Sequence, residues 1–167
     1  GRLAAPTPLG AEGRDWPYQE GGAFGWTFWC HGAAGVARFL LRAAALGVPG
    51  ADDLARRAAS TVTLAARAAG PTQCHGLAGN IELLLDAARQ TGEAAFADAA
   101  ASRAEILAAF ASERPEGLAY CSESPTVFTP DYMLGYGGVA LCLLRIAEPQ
   151  RPHIMSRAGL RAPREAR

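Results

Sequence analysis

The 167-residue chain carries 16 arginines, no lysine and 16 acidic residues, for a formal net charge of +0. That length suits one domain, and neutrality without a basic stripe in either half removes the electrostatic case for nucleic acid or an anionic membrane surface. No apolar run approaches the ~18 residues of a membrane span, and the start, Gly1-Arg2-Leu3-Ala4-Ala5-Pro6, is not a signal peptide. Half of the residues are hydrophobic, but 37 of them are alanine. Such a composition favours closely packed helices, because alanine combines the best helix propensity with little bulk. With no initiator Met, the chain reads as a soluble, intracellular piece of a longer protein.

Residues 1–28, rich in Gly, Pro and aromatics, lack a helical period and read as an irregular connection. From Gly32 to about Leu46, Val36, Phe39, Leu40 and Ala44 recur at the spacing of a helix face, and Gly47-Val48-Pro49-Gly50 ends that helix. Asp52 or Asp53 then caps a second helix reaching about Ala69. A third spans Gly79 to Gln90, and a fourth runs from about Ala94 to Ser112. Residues 114–134 are expected to form a long irregular loop. A fifth helix covers about Gly138 to Ala147, and an Arg-rich tail at 156–167 is expected to be mobile. No strand is evident. The fold class is all-α.

A repeat underlies these elements. Cys30-His31-Gly32-Ala33-Ala34-Gly35-Val36 aligns with Cys74-His75-Gly76-Leu77-Ala78-Gly79-Asn80, and both align with Met133-Leu134-Gly135-Tyr136-Gly137-Gly138-Val139. Each Gly-x-x-Gly opens a helix that continues into leucine-rich sequence, at intervals of 44 and 59 residues. Those intervals suit a helical hairpin plus a connection, and repeated hairpins build solenoids or closed α/α toroids.

The first two repeats carry Cys-His just before the glycine motif, whereas the third has Met133-Leu134. A packing requirement would apply to all three, so the asymmetry points to chemistry. Cys30, Cys74 and His75, with His31 nearby, would project from neighbouring helix starts toward one point. Thiolate and imidazole are the borderline-soft donors that zinc prefers, and three protein ligands with a vacant fourth position mark a catalytic rather than a structural site. The competing reading is a pair of buried thiols and a core histidine. His31 could donate a proton to a substrate, or simply cap a helix. Cys142, in an apolar run, reads as a small buried hydrophobe.

These segments also carry a family resemblance. Trp29-Cys30-His31-Gly32-Ala33-Ala34-Gly35 and Cys74-His75-Gly76-Leu77-Ala78-Gly79-Asn80 resemble the two zinc-ligand motifs of LanC-like lanthionine cyclases. Pro130-Asp131-Tyr132-Met133-Leu134-Gly135-Tyr136-Gly137-Gly138-Val139 resembles that family's closing repeat. The motifs occur in the family's order.

The resemblance implies an α/α toroid, of which residues 1–155 would supply about three of seven hairpins as the C-terminal portion of a cyclase domain. It implies a Zn2+ ion held by Cys30, Cys74 and His75. The implied reaction is addition of a zinc-activated cysteine thiolate to dehydroalanine or dehydrobutyrine, forming lanthionine-type thioether rings in a ribosomally made precursor peptide. The partner would be a precursor peptide containing Cys and dehydrated Ser/Thr, and a multidomain synthetase would carry kinase-, lyase- or dehydratase-type domains upstream. The setting would be cytoplasmic. The family's acid/base His and Asp precede the first zinc motif, where residues 1–28 hold no His. His31, next to a candidate ligand and of a residue type that titrates near neutrality, is the candidate catalytic residue on this chain. The alternative is a non-catalytic peptide-binding or structural half-toroid.

Several other features have plainer readings. With no lysine after any glycine loop, a P-loop is excluded. A glycosidase would need paired carboxylates where Cys-His stands. Trp26, Phe28 and Trp29 read as core, with a peptide-cavity wall as the alternative, and Tyr132 and Tyr136 read the same way. Glu82 and Asp86, at i and i+4, read as a solvated helix face.

Overall fold

The computed structural model describes residues 5–6, 13–23, 27–64 and 70–156. The Arg-rich tail beyond Ser156, the expected last residues of the second helix and Trp26 lie outside the described residues. The fold is largely helical, with α1 (Ala33–Ala45), α2 (Ala51–Leu64), α3 (Leu77–Thr91), α4 (Ala94–Ala108) and α5 (Tyr136–Ala147). Short connections fold α1 against α2 and α3 against α4 as helical hairpins. Helix α3 is the centre, packing on each of the other four helices. Leu77, Ile81, Leu83 and Leu84 on it are fully buried.

The alanines let these helices approach closely. Ala33, Ala34 and Ala37 of α1, Ala55, Ala58 and Ala59 of α2, and Ala78 and Ala87 of α3 form one core with Leu41, Val62 and Leu107. This corrects the expected face of α1, since Phe39 is 70% exposed. The smaller side chains occupy the contact because a helix pair can interlock tightly only where bulk is low. Helix α1 closes as anticipated at Gly47, where φ is +79°. Val48 N–H bonds Ala43 O at 3.0 Å and Gly47 N–H bonds Ala44 O at 2.9 Å. That pair of bonds is a Schellman motif. Helix α2 begins at Ala51, so Asp52 and Asp53 lie in its first turn rather than at the cap, where their charge still complements the helix dipole.

The expectation of no strands is also corrected. β1 (Ala5–Pro6) pairs antiparallel with β2 (Arg14–Asp15), and the Arg14 N–H donates to Thr61 Oγ1 on α2 at 2.8 Å. α4 stops at Ala108, short of the expected Ser112, and β3 (Ala111–Arg114), which begins within that expected helix end, pairs with β4 (Gly117–Tyr120) in the expected loop. The turn of this hairpin is Pro115-Glu116, and Gly117, the first residue of β4, has φ +127°. Such mostly exposed strands lack a clean apolar alternation, which is the signal a sequence pattern offers.

The Gly-x-x-Gly repeat has a single geometric cause. The segment ahead of each helix folds back over the helix start: Leu77 N–H bonds Gly70 O at 2.8 Å, and Tyr136 N–H bonds Thr129 O at 2.9 Å. These bonds satisfy amide donors that a helix N-terminus leaves unpaired. The second glycine of each motif then sits against a carbonyl six residues earlier: Gly35 on Trp29, Gly79 on Gln73 and Gly138 on Tyr132. A Cβ at any of the three would overlap that carbonyl. Gly79→Ala should therefore lower the unfolding free energy by roughly 1–3 kcal/mol in urea denaturation. Gly70→Ala, which meets open space, should change it by less than about 0.5 kcal/mol.

Candidate metal centre

The folded-back segments also bond one another. Trp29 N–H donates to Cys74 O at 3.0 Å, and Cys74 N–H donates to Met133 O at 2.8 Å. The three repeats are thus joined edge to edge just before their helices, and the side chains following Trp29 and flanking Cys74 come together. Cys30 Sγ, Cys74 Sγ and a ring nitrogen of His75 all lie within 4.8 Å of one another. Among the described residues this is the one convergent group of Cys, His or carboxylate side chains with metal-ligand spacing. Cys30 is exposed, Cys74 and His75 are half-buried, and all four cysteines are free thiols.

The residues fit a zinc ion. Two sulfurs and an imidazole are a borderline-soft donor set, and their spread is about twice the ~2.3 Å reach of a zinc–sulfur bond. Burial, then the hydrogen bond and charge of Cys30, push the Cys74 thiol up to about 11. Two thiols facing one another resist joint ionisation, and a cation between them reverses that sign. The third repeat reaches this layer through the Met133 carbonyl.

His31 stands beside this group. Its Nδ1 is 2.9 Å from Cys30 Sγ, and its ring meets Tyr18 edge-on at 5.1 Å between centroids. Phe28 is half-buried and its ring borders both imidazoles, 5.8 Å from His31 and 5.5 Å from His75. Trp29 points the other way and stacks on His153 at 5.1 Å. An open cavity of about 380 Å³ borders Cys30 and His31, walled by Arg38 and Phe39. Cys142 is fully buried, as expected.

Residues 11–157 match the sequence profile of the family described as lanthionine synthetase C-like protein. The chain belongs to that family. A search of curated proteins finds no match. In this LanC-like chain, no helix among the described residues is long and apolar enough to cross a membrane.

Two features of the centre escaped the sequence. Glu123, in the connection after β4, has Oε2 3.2 Å from His75 Nδ1. Its Oε1 accepts the Thr72 hydroxyl at 2.6 Å. Nothing in the spacing of Ser122-Glu123-Ser124 marked it. The second is a buried charge network beneath the centre, which corrects the reading of Glu82 and Asp86 as a solvated face. Glu82 is 2% exposed and pairs with Arg145 of α5; Asp86 bonds Arg145 at 2.6 Å and also pairs with Arg38 of α1. Like charges at i and i+4 are tolerated here because two guanidinium groups stand against them. Removing one partner of such a buried set costs about 3–5 kcal/mol.

His153 enters the same layer from the segment after α5. Its Nδ1 accepts Met155 N–H at 3.0 Å, and its Nε2 faces Tyr132 Oη at 2.9 Å and Glu82 at 3.4 Å. Burial, then the charges of Arg38 and Arg145, push the imidazole down to about 3. The unfolded chain therefore takes up this proton first as pH falls below ~6.5. Stability contributed by a neutral buried His153 is present above that pH and declines from about 6.5 toward 3. Unfolding free energy measured at neutral pH and near pH 5 should drop more for the native chain than for His153→Gln.

Proposed function

We propose that this chain is the metal-holding, C-terminal part of a zinc-dependent cyclase that forms thioether rings in a ribosomally made precursor peptide. The observation that carries this reading is the convergence of Cys30, Cys74 and His75 within 4.8 Å, in a member of the LanC-like family. Bound by these three residues, a zinc ion would supply the positive charge that favours a substrate cysteine as its thiolate at neutral pH. The chain's own residues would do the rest. The cavity beside Cys30 would admit the peptide, with Phe39 and Trp29 as apolar walls. The substrate thiolate would add to the β-carbon of a dehydroalanine or dehydrobutyrine, forming the S–C bond as the double-bond pair moves to the enolate. His31, at the cavity edge, would deliver the proton that returns the α-carbon to its saturated state.

The remaining parts of the reading follow the same logic. The hairpins α1–α2 and α3–α4, with α5, would be three units of an α/α toroid spanning residues 1–155, whose other hairpins would enclose the peptide. The peptide would carry Cys and dehydrated Ser or Thr, generated by kinase-, lyase- or dehydratase-type domains. Four free thiols accord with a reducing, cytoplasmic setting.

Metal content by mass spectrometry tests the reading directly. About one zinc per chain is expected for the purified protein, with most of it lost in Cys74→Ala. A demonstrably folded chain that takes up no zinc overturns it. With zinc bound, loss of alkylatable thiol from a peptide carrying one cysteine and one dehydroalanine would report ring formation. His31→Ala should slow that loss by roughly 10²-fold or more, the usual contribution of a positioned acid.

A further inference from the structure

The connection after β4 carries a carboxylate whose place is set from both ends. One oxygen of Glu123 takes the hydroxyl of Thr72, which is 1% exposed and sits two residues before Cys74. The other faces His75 Nδ1. The connection is itself braced: Ser122 N–H and Ser122 Oγ both donate to Val127 O, at 2.8 and 2.9 Å, and Val127 N–H donates to Ser124 O at 3.0 Å. Ser122 is buried. Glu123 is itself exposed at 44%, but the buried hydroxyl and the braced loop fix where its carboxylate stands. Its carboxylate is not part of the convergent Cys30, Cys74 and His75 set, so its partner is the histidine itself.

We infer that Glu123 is a positioning residue for the metal centre, accepting the Nδ1–H of His75 and so leaving Nε2 unprotonated as the nitrogen free to act as donor. The inference rests on the proposal that these residues hold zinc, and deepens it. A neutral imidazole carries one N–H, and an ionised carboxylate can only accept, so the pairing selects the Nδ1–H tautomer. It leaves the Nε2 lone pair available and fixes the plane of the ring. Partners of this kind are worth 10–100-fold in metal affinity at zinc–histidine sites. The Thr72 hydroxyl adds a second link. It ties the carboxylate to the turn that carries Cys74, so the sulfur and the imidazole are set by one hydrogen-bonded unit.

The test is competition of the full chain with a chromophoric chelator for zinc, repeated with cobalt so that ligand-field absorption reports the donor set. Glu123→Ala should weaken zinc binding by about 10–100-fold. Glu123→Gln, whose amide oxygen can still accept from Nδ1, should recover part of the loss, and Thr72→Val should weaken binding by a smaller factor than Glu123→Ala. Cobalt band positions should stay as in the native chain once saturated, because the donors are unchanged. Native affinity in Glu123→Ala, with far-ultraviolet circular dichroism unaltered, overturns the inference. So does a Glu123→Gln variant as weak as Glu123→Ala with shifted cobalt bands, which would make Glu123 a ligand. A native chain that binds no metal fails at the first measurement and removes the underlying proposal instead, so the two failures are distinguishable.

Discussion

The contact on which the rest depends is between backbones. Trp29 N–H reaches Cys74 O, and Cys74 N–H reaches Met133 O. For three chain segments to touch this way, each must fold flat over the start of its own helix, and a side chain in the second glycine position would collide with the overlying carbonyl. Gly35, Gly79 and Gly138 are therefore not flexible joints. They are the absence of a Cβ at the three points where peptide must lie on peptide, a use of glycine distinct from its freedom at positive φ. The two sulfurs and the imidazole meet because these backbones do.

Beneath that layer the fold accepts an expensive arrangement. Arg145 is 2% exposed and spends its donors on Glu82, Asp86 and the Arg151 carbonyl, while Arg38 reaches Asp86 from α1 and lies over the Trp29 ring. Buried ion pairs of this kind seldom add net stability, because desolvation cancels much of the attraction. Their effect is directional. α1, α3 and α5 are the helices that follow the three folded-back turns, and charge pairing with forked geometry holds them in one register where alanine-rich surfaces could slide. His153 and Tyr132 extend the layer to the segment after α5, with Trp29 stacked on the imidazole directly ahead of Cys30.

The centre therefore has two kinds of support. From below, the charge network fixes the helices on which the turns rest. From the side, the Ser122–Val127 connection presents Glu123 to His75 and Thr72. Neither support contributes a donor atom to the convergent set, and both restrict how its members can move. The exposed side, toward Cys30, His31 and the cavity next to them, is left open.

The sequence by itself determined the five helices, their approximate limits, the three-fold glycine motif and the Cys30, Cys74 and His75 trio. Periodicity, helix stops and repeats are local signals, carried by residues near one another in the chain. It missed the β3–β4 hairpin, whose mostly exposed strands show no alternation, and it placed Phe39 inward, where the fold buries the small Ala33, Ala34 and Ala37 instead. It read Glu82 and Asp86 as solvated because their partners, Arg145 and Arg38, lie 59 and 48 residues away from Asp86. Glu123 was illegible for the same reason: it stands 48 residues from His75, in a connection without a period. What only the tertiary structure decided is which charges meet. A buried charge is tolerable solely where an opposite one arrives from elsewhere in the fold, and no spacing along one helix records that arrival.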